Sequence, residues 1–253
     1  MKIVRFVPPG KDSIFYGVVK DERVTVTVAS PFEGMIVETS EEYDLNSVKL
    51  LAPCQPTKVV AVGLNYKDHA QELGMALPDE PLIFLKPPSS VIGHGDQICC
   101  PSSSNQVEYE AELAVVIGKR AKDVIAEDAF NFVLGYTCLN DVTARDLQKK
   151  DVQFTRSKSF DTFCPIGPWI ETRLDPSDVH VRSYLNGEKR QDSSTSQLVH
   201  PVEKLIEFIS SVMTLEPGDI IATGTPFGVG KIEPGDEITV EVEGVGRLIN
   251  PVG

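Results

Sequence analysis

The run Glu108-Tyr109-Glu110-Ala111-Glu112-Leu113-Ala114-Val115-Val116-Ile117 joins three carboxylates, spaced two residues apart, to an apolar segment of strand-forming residues. Side chains two apart on a β-strand share a face, so Glu108, Glu110 and Glu112 are expected to point the same way along one continuous strand. Like charges stacked this closely are costly unless something positive sits among them, and a hard divalent metal is the cation best matched to carboxylate oxygens. An acidic face turned to solvent is the competing reading of the same residues. A second apolar strand, Phe132 to Asn140, ends on Asp141 just before the helical pattern Thr143-Ala144-Arg145-Asp146-Leu147-Gln148. Strand ends of this kind often carry binding groups. Asp141 also suits a helix cap, and Thr143 with Asp146 suits a variant capping box.

A chain of 253 residues, 41% of them hydrophobic, can bury a sizeable core as one large β-rich domain or as a main domain with a small appendage. Its net charge of -13 argues against nucleic acid or an anionic membrane as the main partner. Prolines at 8 and 9 interrupt the N-terminus before a signal-like apolar core develops, and no later run approaches membrane-spanning length. The five cysteines, Cys54, Cys99, Cys100, Cys138 and Cys164, include no Cys-x-x-Cys pair and suit a reducing, cytoplasmic location without structural zinc.

Strand patterns at Ile3–Val7, Ser13–Val19 and Val24–Val28 predict a small antiparallel β domain over residues 1–56. The polar stretch Glu38–Asn46 and the proline-flanked Ala52–Pro56 separate it from a main domain over 57–253. That main domain mixes many strands with few helices. Asn186-Gly187 predicts a type I′ hairpin, and a helix starting at Pro201 carries Leu205, Ile206, Ile209 and Val212 on its apolar face. A shorter helix runs from a cap at Asn65 to a stop at Gly74. His69 and Glu72 lie three apart on it and so share a face, where the carboxylate can orient the imidazole; a solvated surface pair is the alternative.

Six motifs then fall in one order: Val62-Gly63-Leu64-Asn65-Tyr66-Lys67-Asp68-His69, Phe84-Leu85-Lys86-Pro87, Glu110-Ala111-Glu112-Leu113, Asn140 through Asp146, Lys158 through Pro165, and Thr223-Gly224-Thr225-Pro226-Phe227-Gly228-Val229-Gly230. Over residues 57 to 253 this resembles the fumarylacetoacetate hydrolase family, in particular its acylpyruvase and 2-hydroxyhepta-2,4-diene-1,7-dioate isomerase-like members. The resemblance implies a mixed, mainly β fold of the β-roll or sandwich type with few helices, and a homodimer. It also implies one Mg²⁺, Mn²⁺ or Ca²⁺ held by Glu110, Glu112 and Asp141, with Glu108 outside the motif. By the same resemblance Lys158 binds substrate or stabilises its enolate, and His69 with Glu72 acts through an ordering lid. Arg145 and Gln148 would reach the same pocket, and Gly224 with Thr225 would offer donors to a substrate carboxylate.

Neither a dinucleotide nor a P-loop fingerprint fits the glycine-rich loop, and no G-x-S-x-G elbow occurs. The expected substrate is a small anionic 2-oxo or dicarboxylic acid, as in aromatic catabolism, processed through an enolate. Hydrolysis of a C–C bond in an acylpyruvate leads, because His69 and Glu72 can activate water. Isomerisation of a hydroxydienedioate and decarboxylation of an oxo diacid stay open, as does a non-catalytic, metal-stabilised binding protein.

Overall fold

The computed structural model describes residues 1–253, apart from the side chain of Leu73. At its centre the Ala111–Ile117 strand lies between Val133–Asn140, antiparallel to it, and Ile220–Ala222. Ile220–Ala222 in turn runs parallel to Val59–Gly63. Ala111–Ile117 is buried at every residue, and strand alternation explains how. Leu113, Val115 and Ile117 face a core shared with Val181, Val240, Val242 and the helix residues Leu205, Ile206 and Ile209. Ala114 and Val116 face the opposite layer, with Ile3, Val59, Ala61, Leu139, Ile166 and Ile170. A strand covered on both sides needs an unbroken apolar run, as this one has. Glu112 has the parity of Ala114 and Val116 and so ends that second face.

Among the described residues the large sheet has twelve strands, and its main path ends on Glu38–Asp44 at one edge and Leu82–Lys86 at the other. The segment Glu38–Asn46, read from sequence as a separating polar stretch, therefore contains a strand. Its charges suit an edge, where they discourage pairing with another chain. The N-terminal strands Lys2–Val7, Phe15–Lys20 and Arg23–Thr27 continue the same sheet, because Lys2 and Ile3 pair with Glu171 and Ile170. The Pro-flanked connection near residue 56 thus joins two parts of one sheet.

A four-stranded sheet packs across the first core, with strands Glu188–Ser194, His180–Leu185, Glu237–Val242 and Gly246–Pro251. Its first hairpin turns at Asn186 (φ 52°) and Gly187 (φ 80°), the pair of positive angles a type I′ turn requires. Four α-helices are formed among the described residues: α1 (Lys67–Leu73), α2 (Arg145–Lys150), α3 (Thr155–Lys158) and α4 (Val202–Val212). None is long and apolar enough to cross a membrane. All five cysteines are free.

Two expected caps are replaced by tertiary contacts. Asn65 does not cap α1; its amide donates to the carbonyls of His200 (3.0 Å) and Thr223 (2.8 Å), and its oxygen accepts from His200 N at 2.9 Å. Thr143 forms no capping box with Asp146, since Thr143 bridges to the Val107–Tyr109 strand while Asp146 accepts from Ser104 and Asn105. The Asn65 clasp ties the loop before α1 to the glycine loop at 223. Asn65→Ala removes the partner of one buried and two partly buried backbone groups and is expected to cost on the order of 1–3 kcal/mol, read as a lowered thermal midpoint.

Candidate active site

Glu110 is the residue at which the acidic run divides, and the single strand expected from sequence is two. Val107–Tyr109 joins a three-stranded sheet with Thr143–Ala144 and Gly230–Lys231, whereas Ala111–Ile117 stays in the large one. Side chains hold the break open: Glu110 N donates to Asn140 Oδ1 at 3.0 Å and Ala111 N to Gln191 Oε1 at 3.1 Å. Asp141 N closes onto the Glu110 carbonyl at 2.9 Å. This bend brings Glu110, Glu112 and Asp141 together, all three buried, each offering an oxygen within 4.8 Å of the others.

Three cations meet these acids. Lys158 Nζ donates to Glu110 Oε2 at 2.8 Å and Asp141 Oδ2 at 2.6 Å. Lys86 Nζ donates to the other Asp141 oxygen at 2.5 Å. Arg145 donates to Glu108 Oε2 at 2.7 Å, to Glu110 Oε1, and to Gln148 Oε1 at 2.5 Å. Burial opposes charge on Glu110, but Lys158 and Arg145 outweigh it and hold its carboxyl well below the usual range. Burial likewise opposes charge on Lys158, and Asp141 and Glu110 more than restore it, so its ammonium is held.

Glu112 differs. Its carboxylate accepts Gly224 N at 2.8 Å, while burial first, then repulsion from Asp141 and Glu110, pushes it well above the ordinary carboxylate range. With all four carboxyls ionised, the state in which Glu112 could ligate a cation, Glu108, Glu110, Glu112 and Asp141 against Lys86, Arg145 and Lys158 give the cluster 3 − 4 = −1. The donor set, hard oxygens converging in a buried cluster with negative charge to spare, fits a divalent cation. Adding two charges to −1 gives +1, which draws an anion toward the site.

Beside these residues lies a cavity of about 290 Å³, whose lining includes the polar His69, Arg145, Gln148, Lys149 and Lys158 and the apolar Leu82, Phe84 and Phe154, with Lys158 Nζ 5.1 Å from the centre of the Phe84 ring. A larger open groove, about 630 Å³, runs beside Lys49, His94 and Trp169, away from the acids. His69 is buried, and its Nδ1 meets Glu72 Oε2 at 2.9 Å. The other Glu72 oxygen accepts Gly228 N at 3.3 Å, fastening α1 to the glycine loop.

Gly224 and Thr225, expected to present donors to substrate, spend them inside the protein. Gly224 N–H goes to Glu112, and the Thr225 hydroxyl donates to Ala111 O and accepts from Gln191, both at 2.9 Å. Gly224 has φ +99°, and a Cβ there would lie 2.9 Å from Asn65 Cβ, so the loop's approach to Glu112 requires glycine. Thr225 still lines the cavity.

Read from sequence, Lys86, Gln191 and Asn140 carry no role of their own, and Thr143 only that of a helix cap. Lys86, Asn140 and Thr143 lie within the ordered motifs, and Lys86 left a further signal as a lone charge closing the apolar strand Leu82–Lys86 before two prolines. Gln191, Asn140 and Thr143 act through hydrogen bonds to distant segments, which no local pattern encodes.

The model of the fumarylacetoacetate (FAA) hydrolase C-terminal domain matches residues 58–253, and an N-terminal model described as Rv2993c-like matches residues 1–53. The chain belongs to the fumarylacetoacetate hydrolase family. The solved 5-carboxymethyl-2-hydroxymuconate delta-isomerase from Mycobacterium smegmatis is 46% identical, with TM-score 0.93, over 100% of this chain and 99% of that one. Oxaloacetate tautomerase YisK of Bacillus subtilis is 45% identical over 226 residues, 83% of this chain and 75% of its own length. A maleylpyruvate hydrolase from Sphingobium sp. SYK-6, solved with manganese(II) and pyruvate, is 32% identical, with TM-score 0.83, over 100% of this chain and 98% of that one.

Proposed function

We propose that this enzyme interconverts the keto and enol forms of a small 2-oxo dicarboxylic acid, moving a proton between carbon and oxygen. The observation that carries the reading is the convergence of Glu110, Glu112 and Asp141 on the floor of a small cavity walled by His69, Arg145 and Lys158. A divalent cation, Mg²⁺ or Mn²⁺, held by those three carboxylates would supply Lewis-acid polarisation of the 2-oxo group and stabilise the enolate charge. Lys158 and Arg145 add positive charge where the enolate and the substrate carboxylate develop theirs. Glu72 accepts the Nδ1 proton of His69, which leaves Nε2 as the ring's proton acceptor. His69 takes the proton from the carbon beside the carbonyl and returns it at the oxygen, with no atom gained or lost. Phe84 and Phe154, edge to face at 5.6 Å, keep water from the apolar side.

Relatives at 45 and 46% identity that carry tautomerase and isomerase names favour proton movement over bond hydrolysis. C–C hydrolysis of an acylpyruvate becomes the second reading, favoured by the same His69–Glu72 pair acting on water. In both readings the chain works as a homodimer, for which the exposed Leu82 and Leu85 on the terminal strand of the sheet offer apolar contact surface.

The deciding experiment follows oxaloacetate enolisation and acylpyruvate cleavage side by side, with and without Mg²⁺ or Mn²⁺. Metal-dependent tautomerisation with little cleavage supports the first reading; the reverse supports the second; absence of both rejects the enzyme proposed. Lys158→Met is expected to lower turnover by about 10²–10³-fold while Mg²⁺ binding is kept, since a competing ammonium leaves Glu110 and Asp141. Wild-type turnover in that variant would make Lys158 a structural residue.

A further inference from the structure

Building on the reading of a 2-oxo dicarboxylate substrate, the geometry points to Lys149 as the residue that selects for the second, distal carboxylate. The lysines and arginines lining the cavity are Arg145, Lys149 and Lys158. Arg145 is engaged by Glu108, Glu110 and Gln148, and Lys158 by Glu110 and Asp141. Among the described residues Lys149 is the one of the three without a carboxylate partner, and it is exposed at the cavity mouth. A diacid bound with its 2-oxo end over the buried acids must put its far carboxylate somewhere. The apolar part of the lining, Met75, Leu82, Phe84 and Phe154, offers that group no donor.

Helix geometry sets the spacing. Arg145 and Lys149 stand four residues apart on α2 and therefore share a face, displaced along the axis by about 6 Å. Arg145 meets the acidic floor while Lys149 lies one turn farther out, a separation suited to the two carboxylates of a four- or five-carbon diacid. Lys150, next in sequence, is exposed and does not line the cavity. It serves as the control for a general loss of positive charge on this helix.

The test compares binding of two non-reacting 2-hydroxy acids that differ only at the far end, malate and lactate, to the Mg²⁺-supplied full-length protein by calorimetry. Wild type is expected to hold malate more tightly than lactate. Lys149→Met should weaken malate about fivefold to tenfold, in keeping with a partly solvated ion pair, and shift lactate less than twofold. Lys150→Met should leave both unchanged, and Lys149→Arg should restore most of the malate affinity. Equal weakening of both ligands, an effect matched by Lys150→Met, or a wild type that binds malate no better than lactate would overturn the proposal. Because no turnover is measured, failure of the tautomerase reading leaves this result legible, and success here does not rescue that reading.

Discussion

Asp141→Ala is expected to weaken Mg²⁺ binding by at least about 100-fold and to remove metal-dependent turnover, measured by calorimetry and by oxaloacetate enolisation. The cost extends to folding. Asp141 neutralises two fully buried ammonium groups, Lys86 on one oxygen and Lys158 on the other. Deleting one partner of a buried pair leaves its counter-charge uncompensated, at about 3–5 kcal/mol. A truncation that abolishes activity with unchanged stability would contradict the contacts described. Asp141→Asn separates the effects, because it keeps the shape and some hydrogen bonding but gives up the charge; it should melt closer to wild type and still bind metal poorly. Unchanged metal affinity in both variants would remove Asp141 from the ligand set.

His69→Ala should lower kcat by about 10²–10⁴-fold, the range for losing a positioned acid–base group, with a much smaller change in KM. Its partner deserves a graded test. Glu72→Gln keeps one amide oxygen to accept from Nδ1–H and gives up the acceptor for Gly228 N, so it should lose far less than His69→Ala while loosening α1 from the glycine loop. If His69→Ala cleaves acylpyruvate poorly yet enolises oxaloacetate at the wild-type rate, the histidine handles water and not the substrate proton, and the hydrolytic reading takes precedence. Wild-type rates for both would make the pair a clamp between α1 and the glycine loop.

The acidic cluster was legible because its parts are local patterns: Glu110 and Glu112 two apart before an apolar run, and Asp141 closing another apolar strand, are visible in a string of letters, and the ordered motifs joined them. The helix Val202–Val212 and the Asn186-Gly187 turn were legible for the same reason. What escaped depends on partners far away in sequence. The strand break at Glu110 is made by Asn140 and Gln191, and the inward use of Gly224 and Thr225 by Glu112 and Ala111. Asn65 had every local mark of a helix cap, yet a pair of carbonyls and an amide from residues 200 and 223 won its side chain. Buried backbone groups without a sheet partner outweigh the modest gain of capping a short helix.

The position of Ile220–Ala222, between Val59–Gly63 and Ala111–Ile117, sets a timetable for assembly. During synthesis, the two earlier strands leave the ribosome long before the one that must be inserted between them. Each waits with an apolar face and unpaired edges, the condition in which chains misassociate. Pairings this distant in sequence also close slowly once all parts are present. The acids stand at the ends of strands in this same central region, so a nascent chain arrested before residue 220 has all three carboxylates but lacks the strand and the Gly224 amide that hold Glu112 in place. Completion of the acidic cluster is thus a late event in the life of the chain.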